Sequence, residues 1–321
     1  MGAGWANRLP GMRVLITGSS GQIGTNVGLA LQKRGDVVQG IDNRANTWIQ
    51  SIPTVIADLC KVTPGELPVD GAFDVVLHLA AHAKVFELVE QPERALQNAI
   101  MTFNVLEYCR RRGTPIIFGS SREVYGDITR HITDESQADF VVAESPYSAS
   151  KIAGEAFIYS YAECYDLPYL VFRFSNVYGR YDCDEQRMER VIPLFIKRIA
   201  DERPITVYGR EKVLDFTYVD DCVAGVLRGI DALAQRRVNH ETINLAGGQG
   251  ATLVDLVNLI SLALRKKPGV TYEPARPGEV TRYVADITKA RQLLGYEPTT
   301  PLTAGVPLAI EWQASIGVIR L

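Results

Sequence analysis

Thr17-Gly18-Ser19-Ser20-Gly21-Gln22-Ile23-Gly24 stands between the β-branched run Arg13 to Thr17 and a segment, Ile23 to Arg34, whose apolar residues recur at helical spacing. The apolar run Val37 to Ile41 follows, so the stretch reads as strand, glycine turn, helix, strand. Glycines at 18, 21 and 24 permit a tight turn, close approach of backbone N–H groups to a diphosphate, and close packing of helix on strand. The helix N-terminus opened by the turn favours an anion. A glycine turn alone is weak evidence, but its position in a strand–helix–strand unit makes Gly18, Gly21, Gln22, Ile23 and Gly24 candidates for lining a dinucleotide pyrophosphate.

Asp42 ends the second strand, about 20 residues beyond the glycine turn, where a carboxylate accepts hydrogen bonds from ribose hydroxyls and repels a 2′-phosphate. With Asn43 beside it, this favours NAD over NADP, while Arg44 nearby offers a guanidinium that could accommodate the phosphate. Asp58 and Leu59, after the third strand, are candidate adenine contacts; a surface Asp ending a strand is the plainer alternative.

The same rhythm continues outward through Thr54 to Ile56, Val75 to Leu79, a helix around Ala95 to Arg111, Ile116 to Phe118, a helix from Tyr147 to Cys164, and Tyr169 to Phe174. Val-, Ile- and Leu-rich strands alternating with helices predict an α/β fold, a doubly wound parallel sheet of Rossmann type covered on both faces. After Gly179 the rhythm breaks into the polar stretch Arg180 to Arg190, an amphipathic helix, and short strands at Ile205 to Val207 and Phe216 to Tyr218. Helices are expected at Asp220 to Leu233, Leu253 to Arg265 and Thr288 to Leu294. The expected division is a loose leader at 1–11, a dinucleotide domain at 12–176 with about 217–243, and a smaller irregular α/β lobe at 177–216 with about 244–321.

With 321 residues, 46% of them hydrophobic, the chain can bury a large core. A net charge of −3 supplies no basic field for nucleic acid or anionic lipid, so neither is an expected partner. Cys60, Cys109, Cys164, Cys183 and Cys222 are odd in number and scattered, without a C-x-x-C pair or zinc spacing, which predicts free thiols, no metal centre and a reducing, cytoplasmic setting. Apolar runs are strand-length rather than membrane-length.

Ser145-Pro146-Tyr147-Ser148-Ala149-Ser150-Lys151 opens a predicted helix and sets Tyr147 and Lys151 four residues apart, on one face. An ammonium beside the phenol, with a positive nicotinamide ring near, is expected to lower the tyrosine pKa from about 10 toward neutrality. Tyr147 is then a candidate general base.

These motifs, in this order, resemble the extended short-chain dehydrogenase/reductase family of NAD-dependent sugar-nucleotide epimerases, dehydratases and decarboxylases. The resemblance spans nearly the whole chain. It includes TGSSGQIG, His78-Leu79-Ala80-Ala81, Asn98, Gly119-Ser120-Ser121-Arg122-Glu123-Val124-Tyr125-Gly126, YSASK, Arg173 to Gly179, Asp215 to Asp221, and Ala275 to Glu279. It implies that Leu79, Ala80, Ala81 and Asn98 join the cofactor site and that Ser121 hydrogen-bonds the sugar 4-hydroxyl. Tyr147 would remove that hydroxyl's proton, and Lys151 would hold the nicotinamide ribose. Asn176, Arg276 and Glu279 would grip the nucleotide diphosphate and ribose, a guanidinium suiting a diphosphate through its planar fork of donors. The implied leading activity is 4-epimerisation of a UDP-sugar through a transient 4-keto sugar. A homodimer through the helices near Ala95 to Arg111 and Tyr147 to Cys164 is implied by analogy.

Two departures qualify the resemblance. Leu214 stands where many relatives carry a phosphate-binding arginine before Asp215-Phe216, so Arg210 or Lys212 would supply the charge, or the nucleotide would sit otherwise. Arg122-Glu123 follows Ser121 where dehydratases of the family usually carry Asp-Glu; arginine cannot donate a proton at neutral pH. The arginines Arg122, Arg180, Arg187 and Arg190 suggest a partner for a sugar carboxylate, hence a UDP-uronic acid such as UDP-glucuronate, becoming UDP-galacturonate. Each arginine alone could equally be a surface residue. The runner-up is a dehydratase or UDP-glucuronate decarboxylase using Glu123. A non-catalytic dinucleotide sensor stands lowest, because both Tyr147 and Lys151 are present.

Overall fold

The computed structural model describes residues 11–125, 143–182 and 190–320. Arg187, Cys183 and Gly126 lie outside the described residues. Seven strands form one parallel sheet: β1 (Arg13–Thr17), β2 (Val37–Asp42), β3 (Thr54–Ile56), β4 (Val75–His78), β5 (Ile116–Ser121), β6 (Tyr169–Phe174) and β10 (Glu241–Leu245). Their order is β10-β6-β5-β4-β1-β2-β3. The chain winds outward from β1 to β3, then returns to β1's other side as β4. That reversal opens a crevice at the carboxyl ends of β1 and β4, where doubly wound sheets bind ligands.

Residues alternate between two cores. Val14 and Ile16 join one apolar cluster with Val27 and Leu31 of helix α1 (Gln22–Arg34), while Leu15 points into a second with Val76 and Ile116. Helix α1 packs against α6 (Val219–Ala234). The short α2 (Val85–Glu90), α3 (Glu93–Arg112) and α4 (Pro146–Tyr165) pack with one another. Both sheet faces are therefore dry, which explains strands that read as continuous apolar runs.

The rest of the chain builds smaller pieces. Strand β7 (Asn176–Tyr178) pairs parallel with β9 (Val213–Tyr218), whose other edge takes β11 (Gly250–Thr252) antiparallel. Strand β8 (Ile205–Tyr208) pairs with β12 (Val270–Glu273). Helices α5 (Val191–Ala200), α7 (Leu253–Leu264), α8 (Thr288–Leu294) and α9 (Leu302–Ser315) complete it. No helix of the described residues is long and apolar enough to cross a membrane.

Candidate active site

The glycine turn begins where β1 ends. Gly18 adopts φ 77°, and a Cβ there would lie 2.8 Å from the Ala80 amide nitrogen; a Cβ on Gly24 would lie 2.2 Å from the Gly18 carbonyl oxygen. Any larger residue at 18 or 24 would drive the turn off the strand ends. Gly21 is the N-cap of α1, and no side chain caps the helix. The first-turn N–H groups thus lack a capping side chain and face the crevice with the helix dipole behind them, the donor set a pyrophosphate requires.

Asp42 accepts the Ser20 amide at 2.9 Å and the Arg44 amide at 3.2 Å, and burial raises its pKa against those hydrogen bonds. Arg44 turns its guanidinium back onto the Ser20 carbonyl and the Thr47 hydroxyl. Asn43 is exposed beside it. Asp58 accepts the Cys60 amide at 3.0 Å and sits 3.2 Å from the Lys61 ammonium; the amide chiefly holds its pKa down. Leu59 is buried, and its carbonyl accepts from Asn104. Leu79 and Ala80 tie the end of β4 to Thr17, and Ala81 follows in the same loop. His78 is clamped between the Thr17 and Thr102 hydroxyls, with burial pushing its pKa down to about 3, so the imidazole is neutral. Asn98 exchanges hydrogen bonds with the His82 backbone and donates to the Ser150 hydroxyl, which in turn donates to the Tyr147 carbonyl. One amide side chain thereby ties the loop after β4 to the helix that carries the tyrosine.

Helix α4 starts at a capping box: Ser145 and Ser148 satisfy each other's backbone amides, and Pro146 occupies the first turn. This fixes where Tyr147 emerges. Its phenol is near enough to the Ser121 hydroxyl at the end of β5 for that hydroxyl to work against the rise in its pKa. Lys151, one turn on, donates to the Gly119 carbonyl at 2.8 Å. Its nitrogen lies 5.9 Å from the centroid of the Tyr147 ring.

The expected lowering of the phenol's pKa is not found in the protein by itself. Burial pushes Tyr147 up to about 12, opposed by the Ser121 hydroxyl and by Arg190 and Arg122, and reinforced by Glu123. Burial also brings Lys151 down to about 8, with Glu155 opposing. In a water-excluded pocket desolvation outweighs an ammonium whose nitrogen is engaged by a carbonyl.

Arg122 and Glu123 form a short 3₁₀ turn with Val124 and Tyr125 and pair with each other at 2.9 Å, Arg122 also lying over the Tyr283 ring. Arg122 Nη1 is buried without a hydrogen-bond partner among the described residues. Arg190 donates to the Gln22 side chain at 2.6 Å and the Val177 carbonyl at 3.1 Å, and it pairs with buried Asp182 at 3.1 Å. Arg180 instead pairs with Asp220 at an exposed edge. Asn176 donates to the Asp215 carbonyl at 2.9 Å. Arg276 lies over the Tyr208 ring at 4.1 Å and the Phe86 ring at 5.2 Å, bridging β8 and α2. Glu279 pairs with Lys212, which is buried, whereas Arg210 stacks on Tyr272. Lys212 is therefore the cation beside the Ala275 to Glu279 loop.

Two groups escaped the sequence reading. Asp215 is fully buried and accepts the amides of Gly247, Gly248 and Ala285, tying the loop after β10 and the segment before α8 to β9; burial lifts its pKa to about 6. Glu155 and Arg173 form a buried ion pair behind β5, where Glu155 also accepts from Ser120 at 2.5 Å. The spacing of Tyr147, Lys151 and Glu155, each four residues on, was the available signal for the second.

Residues 14–246 match the NAD dependent epimerase/dehydratase family. Among curated relatives, UDP-glucuronate 4-epimerase 1 of Arabidopsis thaliana is 32% identical over 341 residues, covering 96% of this chain and 78% of that protein. Among solved structures, the UDP-glucuronic acid 4-epimerase of Bacillus cereus, in complex with UDP-glucuronic acid and NAD, superposes with TM-score 0.85 at 26% identity, covering 95% of this chain and all of that one (100%). The UDP-glucose 4-epimerase of Thermotoga maritima, with UDP-glucose, gives TM-score 0.85 at 28% identity, covering 95% and 99%. Because the family model spans most of the chain and a curated relative is 32% identical along nearly all of it, the chain belongs to the NAD-dependent epimerase/dehydratase family.

Proposed function

We propose that this protein is an NAD-dependent 4-epimerase of UDP-sugars, acting on a UDP-uronic acid. The observation that carries the reading is the grouping of Ser121, Tyr147 and Lys151 at the carboxyl end of β5, with Lys151 on the Gly119 carbonyl and its nitrogen 5.9 Å from the Tyr147 ring, beside the crevice that the glycine turn opens. Bound NAD supplies a positive ring and a reversible acceptor for the sugar's C4 hydride. Tyr147 takes the 4-hydroxyl proton and returns it, Ser121 orients that hydroxyl, and Lys151 holds the nicotinamide ribose from its seat on Gly119. Asp42, already accepting two amides, suits ribose hydroxyls and repels a 2′-phosphate, while Arg44 is turned onto Ser20. The diphosphate and its ribose are held by Asn176, Arg276 and Glu279, with Lys212 adding charge. The β7–β9–β11 and β8–β12 sheets form the sugar-nucleotide lobe.

Arg122 supports the uronic acid: its Nη1 is a buried donor whose fellow nitrogen is engaged by Glu123. Sugar carboxylate at Nη1 would complete the guanidinium. Turnover of UDP-glucuronate is expected to exceed that of UDP-glucose, with product mass unchanged and the C4 configuration inverted. Arg122→Gln is expected to cut that preference about 10- to 100-fold, the scale of a hydrogen bond to a charged group. Stronger turnover of the neutral sugar defeats the uronic-acid assignment. Glu123, near enough to the phenol to raise its pKa, favours one second reading, elimination or decarboxylation from the same 4-keto sugar. Loss of water or carbon dioxide in the product mass would establish it.

A homodimer through α3 and α4 is supported by Leu96, Ile100 and Phe103, which share one face of α3 and are 65%, 37% and 37% exposed, and by exposed Phe157 of α4. Sedimentation is expected to give a dimer that Leu96→Glu dissociates; a wild-type monomer would refute it. Cys60, Cys109, Cys164 and Cys222 are free thiols, which supports a cytoplasmic setting.

A further inference from the structure

The first turn of α1, which backs the glycine turn, is held by three segments remote in sequence. Asn26 on that turn donates both to the Gln22 carbonyl at 2.9 Å and to the Arg180 carbonyl at 3.2 Å. Asn46, in the loop after β2, donates to Thr25 at 2.7 Å, and its carbonyl oxygen accepts the amides of Trp48 and Ile49. Arg190 grips the Gln22 side chain and is itself backed by Asp182. These contacts join the cofactor side of the crevice to the segment after β7.

Three rings close the same junction. Trp48 from the loop after β2, Tyr181 from the segment after β7 and Trp312 from α9 meet with centroids 6.4, 6.3 and 4.7 Å apart, tilted or edge-on. Such geometry is attractive beyond simple area burial. Tyr181 holds φ 61°, a left-handed conformation unusual for a bulky side chain, and the next residue, Asp182, is 5% exposed with its carboxylate on Arg190. A bulky residue persists in that conformation only where its surroundings over-determine it. Here the two indoles hold the ring.

We propose that Tyr181 and Asp182 are positioning residues for the dinucleotide: seated between Trp48 and Trp312, Tyr181 sets Asp182 and hence Arg190 against Gln22, forming a clasp that keeps the glycine turn closed on its ligand. The proposal rests on the glycine turn being an NAD site. A redox-neutral epimerase returns the hydride to its own product, so slow release of NAD costs it nothing and spares it refilling. Arg190 also acts on the Tyr147 phenol through its charge, so retention of NAD, rather than turnover, is the readout that isolates the clasp.

The test loads the full chain with NAD and follows release, trapping free NAD with an excess of alcohol dehydrogenase and ethanol. Tyr181→Ala is expected to release NAD about tenfold faster, from the loss of two ring contacts. Tyr181→Phe, which keeps the ring, is expected to release at the wild-type rate. Trp48→Leu removes a ring from the opposite side and is expected to behave like Tyr181→Ala, which covers the case in which the alanine variant does not fold. Asp182→Asn is expected to speed release while leaving the rings' tryptophan fluorescence unchanged. Wild-type release from Tyr181→Ala, or from Trp48→Leu in its place, overturns the clasp alone. A wild-type chain that binds no NAD overturns the dinucleotide site and the clasp with it.

Discussion

Replacing Tyr147 with phenylalanine is expected to lower kcat for the UDP-sugar by about 10²- to 10⁴-fold, the usual contribution of a positioned general base. NAD binding and the melting temperature are expected to stay close to wild type, because the phenyl ring keeps its packing and only the hydroxyl facing Ser121 is lost. The phenol's starting point makes the prediction demanding. Burial sets its pKa at about 12 in the protein by itself, opposed by Ser121, Arg190 and Arg122. At neutral pH a phenol of that pKa is ionised to about one part in 10⁵. A positive ring beside the phenol favours its ionised form, so NAD binding is expected to raise tyrosinate absorbance at fixed pH. As Tyr147 acts through its phenolate, kcat/KM is expected to rise with pH until that group is ionised, and the rising limb is expected to vanish in the phenylalanine variant. Unchanged turnover by Tyr147→Phe would leave the fold and remove the mechanism.

Glu155→Gln is expected to cost about 3–5 kcal/mol of stability, the penalty for breaking one half of a buried ion pair. Glu155 is fully buried and Arg173 nearly so, and the carboxylate accepts from Arg173 Nε at 2.9 Å and Nη2 at 2.6 Å. It also accepts from Ser120 and from the Tyr159 hydroxyl at 2.9 Å. A glutamine offers one acceptor oxygen and two donors in place of two charged acceptors, leaving the guanidinium's charge uncompensated and a donor facing donors. Glu155→Gln combined with Arg173→Met is expected to recover much of the loss, since a well-packed apolar replacement removes both charges together. Denaturant unfolding of the two variants checks this; a single-variant cost below about 1 kcal/mol, the range of an exposed pair, would show that the bridge is not isolated from water. Because Ser120 precedes Ser121 and Glu155 lies one turn beyond Lys151, the same variant is expected to lower kcat more than it raises KM.

Much of the fold was legible because its signals are local. The glycine turn between Thr17 and Ile23, the apolar runs of β1 to β6, and the Tyr147–Lys151 spacing each depend on residues within a few positions of one another, and period and turn chemistry need no distant partner. Strand β3 and helix α8 fall where the pattern put them, at Thr54–Ile56 and Thr288–Leu294. Helix α9 was not anticipated, because Pro301 before it and Pro307 within it read as breakers, and packing against α7, β9 and α5 sustains it. Strands β7, β10, β11 and β12 have three to five residues each, too short for a period to declare itself, and they exist through neighbours far along the chain.

Within the site, residue identities came from sequence, whereas partners and charge states came from the tertiary structure. Nothing local says that Lys212 rather than Arg210 faces Glu279, that Arg190 reaches back to Gln22, or that Arg122 spends half its guanidinium on Glu123. The direction of the Tyr147 shift was likewise beyond sequence, because desolvation depends on how much chain closes over a group, and that is a sum over distant segments. Spacing along the chain thus determined which groups could do chemistry, and burial among remote neighbours decided which of them are charged, held, or open to a substrate.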